Sequence, residues 1–157
     1  MSDFSKIRAA LFAVLSEFHS VKLLNKLGLQ QIHHIRQRTQ SGIDLEGRPF
    51  KPYNEQYAER KFAETGIPTH TVNLTFNDVD GMLSPLKLNH AINADLTAVE
   101  LLFTDPEKRK LASYHDQLGA GRSRVIRRFW GVNEGDEKVL GEIVEQDLNL
   151  VLQRLTE

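Results

Sequence analysis

Apolar residues return every three to four positions in three long stretches of this chain, the mark of helices with one buried face. Residues 6 to 18 align Ile7, Ala10, Leu11, Val14, Leu15 and Phe18. A second helix is predicted from about Val21 to Gln40, with Leu24, Leu27, Ile32 and Ile35 inward and Gly28 as a weak point. The last runs from about Asp136 to Leu155, where Leu140, Ile143, Val144, Leu148, Val151 and Leu155 form a wide apolar stripe. Two shorter helices carry their own punctuation. Asn54 can cap a helix from Glu55 to Glu64, which Gly66 ends and Pro68 keeps from continuing. Asp105-Pro106-Glu107 supplies a capping carboxylate, a proline at the first position and an acid in the first turn. The helix it starts carries Leu111, Tyr114, His115 and Leu118 and stops at Gly119.

Between these stretches the period shifts toward two. Thr71 to Phe76 is β-branched and apolar, consistent with an extended segment, and Asn77 to Leu83 suits one helical turn before Pro85. Leu86, Leu88 and His90 alternate toward Ile92, and after Asn93-Ala94-Asp95 the alternation resumes at Val99, Leu101 and Phe103. That pattern predicts a β-hairpin with one buried face. The fold class expected is therefore α+β, with helices packed around a small antiparallel β-sheet and long N-terminal and C-terminal helices. At 157 residues, one domain spanning 1–157 is expected, large enough to bury a core.

Composition narrows the chemistry. No cysteine is present, which excludes disulfides and thiolate metal sites. The formal net charge of −1 gives no overall attraction to nucleic acid. The apolar run in MSDFSKIRAALFAVL is too short and too interrupted to span a membrane. Its acidic start and missing cleavage site also argue against a secretory signal, so synthesis in the cytoplasm is expected. His33 and His34 are adjacent on a helix and point apart, and His115 has Asp116 as its only neighbouring carboxylate. No HExxH, G-x-S-x-G, P-loop or G-x-G-x-x-G pattern occurs, and Gly119-Ala120-Gly121 lacks the third glycine. The expectation is a protein with no catalytic residues, no metal and no cofactor.

Special-purpose residues are densest from Arg38 to Lys61, RTQSGIDLEGRPFKPYNEQYAERK. Gly42 can close the preceding helix, and Asp44 to Gly47 has the chemistry of a tight reversal. Pro49 and Pro52 stiffen the arm after that reversal, so that Phe50, Tyr53 and Tyr57 project either as pegs into the core or as exposed interface anchors. A second concentration is Arg122, Arg124, Arg127 and Arg128, followed by Phe129 and Trp130. Its glycines suit a mobile loop. Arginines on phosphates with aromatics on bases would make a nucleic-acid surface. Arginine and tryptophan also anchor protein interfaces, and the acidic run from Glu134 to Asp147 favours a charge-matched protein contact.

The order R-T-x-x-G-x-D-x-x-G-x-x-F-x-P-Y-x-x-x-Y-x-x-x-K in this stretch resembles the phage virion morphogenesis family, the tail-completion proteins of Mu-like and related bacteriophages and prophages. Three further pieces occur downstream in the same order. They are Val72-Asn73-Leu74-Thr75 with Gly81-Met82-Leu83, then Ala112-Ser113-Tyr114-His115 with Gly119, then Arg128-Phe129-Trp130-Gly131. The resemblance spans about residues 32 to 131. It implies a structural protein of the virion that completes the tail or joins tail to head. It further implies ring-like homo-oligomers, phage tail or head-tail connector proteins as partners, and assembly in the bacterial host cytoplasm.

Overall fold

The computed structural model describes residues 21–74, 82–83, 90–94, 98–121 and 124–156. The helix expected at 6 to 18, the alternation at Leu86 and Leu88, and Arg122 lie outside the described residues. The elements are α1 (Val21–Gln40), α2 (Glu55–Thr65), β1 (His90–Ala94), β2 (Val99–Phe103), α3 (Pro106–Ser113), a π-helical turn (Tyr114–Leu118) and α4 (Glu134–Thr156). They fall into two compact units, 1–31 with 92–101 and 134–157, and 32–91 with 102–133.

The α+β expectation is corrected: the chain is mostly helical. Among the described residues the strands amount to one two-stranded ribbon, β1 beside β2, each of five residues. Beyond that ribbon the described residues form no larger sheet for the helices to enclose. The reason lies in where the extended backbone spends its hydrogen bonds. β1 and β2 pair with each other at the predicted hairpin, but the extended backbone around Lys51–Pro52 and Phe129–Gly131 offers its groups to side chains rather than to a neighbouring strand, so it does not extend the ribbon. Arg38 Nη2 donates to the carbonyls of Phe129 and Gly131, Arg127 donates to those of Lys51 and Pro52, and Asp116 accepts from Phe129 N and Trp130 N. An alternating apolar pattern reports that a segment is extended and half-buried. It does not report what its backbone pairs with.

The first unit follows helical periodicity. On α4 the inward positions are 136, 139–140, 143–144, 147–148 and 151, the spacing of a single helix face. Leu23 of α1 and Val151 of α4 are buried. A buried polar pair joins these helices: Gln31 Nε2 donates to Asp136 Oδ2 at 3.0 Å. Asp136 also sits in the first turn of α4 with Glu134 and Glu137, where the helix dipole favours negative charge.

The second unit is built from turns and short helices. After α1, Gly42 N–H bonds Thr39 O and Ile43 N–H bonds Arg38 O, the pair of bonds that defines a Schellman cap. Gly42 has φ +74°, and a Cβ there would lie 2.5 Å from Thr71 Cγ2. Both the backbone and the space therefore demand glycine. The turn from Asp44 is closed by Asp44 N–H on Arg48 O and by the Asp44 carboxylate accepting from Arg48 N. Ile43 and Pro49 form an antiparallel bridge, after which Phe50 N–H bonds Gly42 O and the Phe50 ring is buried. Asn54 caps α2 through Tyr57 N, and Gly66 ends it in the left-handed conformation. Asp105 caps α3 through Glu107 N and Lys108 N, with Pro106 in the first turn.

Candidate functional site

The segment from Val125 to Phe129 alternates strictly, with Val125, Arg127 and Phe129 buried and Ile126 and Arg128 exposed. Arg127 thus occupies a core position. Its Nε donates to Lys51 O at 3.1 Å, and its Nη2 reaches Pro52 O at 3.4 Å. From Val125 to Phe129 the basic run is a strip with every second residue inside, and Ala120 and Val125 are bridged by two backbone hydrogen bonds.

Around Arg127 the structure gathers residues far apart in sequence. Tyr53 and Tyr57 rings lie 5.1 Å apart, and Lys61 Nζ donates to Tyr53 OH at 2.7 Å. The guanidinium of Arg127 stands 5.2 Å from the Tyr53 ring centroid, a cation–π distance, and Arg127 N–H bonds His115 O. Burial sets the protonation of this cluster. Desolvation, and then the charge of Arg127, lower Lys61 to about 8. Desolvation, and then Tyr57, raise Tyr53 to about 12. His115 is pushed down to about 4 by burial, then by Arg127 and Lys61, so its imidazole is neutral at neutral pH. Its Nδ1 is buried and makes no hydrogen bond to the described residues. A lysine with a depressed pKa beside a tyrosine can be catalytic. Here Lys61 is only 6% exposed and, like Tyr53, does not line the neighbouring groove.

That groove, of about 470 Å³, opens between α3 and Trp130. Phe103 and Trp130, with ring centroids 4.7 Å apart, form its aromatic wall, and Pro106 and Ala112 add apolar surface. Arg109 and Lys110 line it with exposed cationic side chains, and Arg109 Nη2 is held at 2.7 Å by Phe103 O. Asp116 also lines it, with Oδ1 accepting from Phe129 N at 2.8 Å and Trp130 N at 3.0 Å. Those two bonds hold the backbone from which the indole projects.

Of the candidates, Phe50 is buried, Tyr53 and Trp130 are half-buried, and Tyr57 is exposed. Arg124 is exposed with φ +47°, Arg127 is buried, and Arg128 is exposed and reaches Glu46 Oε1 at 3.5 Å. Tyr53, Tyr57 and Arg127 come together, whereas Trp130 faces the separate groove. Sequence pattern does not single out Lys61, His115, Asp116, Phe103, Arg109 or Lys110 as site residues. The Tyr57–Lys61 spacing of one helical turn is the legible signal for Lys61. Asp116 has only its adjacency to His115, because its real partners are backbone groups far along the chain. Among the described residues, no group of three His, Asp or Glu could hold a metal ion, and no helix is long and apolar enough to cross a membrane. Comparison with family models, with curated proteins and with solved structures finds no match to this chain.

Proposed function

We propose that this protein is a non-enzymatic bacteriophage or prophage structural protein of virion morphogenesis, which completes the tail or joins tail to head by protein–protein assembly. The observation that carries the reading is spatial. The four sequence pieces on which the resemblance rests lie within one compact unit, residues 32–91 with 102–133. There the described parts are linked directly. Leu45 N–H bonds Arg128 O, Arg38 holds Phe129 and Gly131, and Asp116 holds Phe129 and Trp130. Gly42 stands against Thr71 and Val72. Residues that serve mainly to set a backbone shape suit a scaffold that meets neighbours. The exposed Tyr57, Phe62 and Leu118 add apolar surface for such contacts.

In this reading the partners are other tail or head-tail connector proteins and further copies of the chain, and the place of action is the virion. The nucleic-acid alternative through Arg122 to Trp130 has less support, since Arg127 is committed to backbone carbonyls and Arg128 stands beside Glu46. Disruption of the gene in an inducible prophage tests the proposal. Electron microscopy of the lysate should show heads and tails that are unjoined or lack completed tails, restored by the gene supplied in trans. Normal infectious particles from the disrupted prophage would overturn it.

A further inference from the structure

We infer that the groove beside Trp130 is a docking site for an acidic segment of a partner protein that inserts one apolar side chain. The inference stands whether or not that partner belongs to a virion. Its first support is shape and composition. Phe103 and Trp130 present an aromatic wall, and the groove of about 470 Å³ has room for a large anchor side chain. Half-buried tryptophan against a packed aromatic is the kind of surface on which interface anchors gain most.

The second support is charge. Arg109 is pinned by Phe103 O, so its guanidinium is held at the groove with little ordering left to lose on binding. Lys110 stands next to it. The carboxylate lining the groove, Asp116, accepts two backbone N–H bonds through Oδ1 and is outnumbered by the two cations. The groove therefore presents positive charge outward in a chain whose net charge is −1. Two cations beside an apolar wall fit carboxylates flanking an apolar residue. They are a poor match for a nucleic-acid strand, which needs cations along a longer phosphate track.

Trp130 is the only tryptophan of the chain, so its emission reports on the groove directly. Titration with a synthetic peptide of Asp and Glu residues flanking a single Phe should give a saturable change in emission. The affinity should fall as salt rises. Lys110→Glu should weaken binding about tenfold with an unchanged melting temperature, because it places like charge opposite the peptide. The double variant Arg109→Glu/Lys110→Glu should instead take the matching Lys-flanked peptide. If that double variant does not fold, Lys110→Glu alone carries the test. Four results would overturn the inference. One is no change in emission up to millimolar peptide, and a second is equal binding to Lys110→Glu. Another is tighter binding of single-stranded oligothymidylate than of the peptide, which would make Trp130 a base-stacking platform. The last is an emission change that tracks protein concentration alone, which would mean that a second copy covers the groove.

Discussion

In the first unit, α4 turns one face inward along its whole length, and α1 and α4 are joined by Gln31–Asp136 and Lys26–Asp147. The buried bond from Gln31 to Asp136 is neutral donor to carboxylate. The second unit depends on a few residues that each do one task no substitute can do. Gly42 has a left-handed backbone and no space for a Cβ. Arg38 and Arg127 bind carbonyls that a strand would otherwise have to satisfy, and Phe129 is fully enclosed. Distributed stabilisation tolerates single changes, whereas concentrated stabilisation fails at particular positions.

The sharpest way to break that contrast is Phe129→Ala. Its ring has 0% exposure, and truncation should cost about 3–5 kcal/mol from lost burial and the cavity left behind. Urea denaturation measures it, and a cost as small as that of surface changes in α4 would show that the second unit is not concentrated on this residue.

Acid should come next. His115 has a folded pKa near 4 against an ordinary 6.5, so the unfolded chain binds a proton more readily. Stability is therefore complete above about pH 6.5 and is lost as pH falls toward 4, by up to about 3 kcal/mol. His115→Gln should remove that part of the pH dependence. The difference between the two pH profiles isolates it from the carboxylates.

Two glycine substitutions should then move in opposite directions. Gly42→Ala should cost about 2 kcal/mol or more, since left-handed strain adds to the overlap with Thr71. Gly141→Ala, inside α4 with open space around it, should stabilise by about 0.5–1 kcal/mol. Equal effects would erase the distinction between the units. The smallest change should be Lys26→Ala. The Lys26–Asp147 pair, at 3.2 Å, is solvent-exposed, and its loss should shift stability by less than about 0.5 kcal/mol.

Much of this contrast is legible in the chain, but unevenly. The sequence by itself determined the local events. Helices α1 to α4 lie where apolar periodicity and, for α2 and α3, caps place them, within one or two residues except in α3. There Ser113 ends the regular helix and a π-helical turn carries the chain on to Gly119. These signals act within a few residues, where backbone sterics and capping bonds outweigh whatever surrounds them. The tertiary structure alone decided that the extended segments outside the β1–β2 ribbon bond to side chains rather than to a further strand. It also decided which arginine is inside. Arg127 and Arg128 are chemically identical neighbours, yet alternation around the fully buried Phe129 sends one to the carbonyls of Lys51 and Pro52 and the other to solvent. A buried guanidinium needs acceptors to offset its desolvation, and the acceptors stand about 75 positions away in the chain.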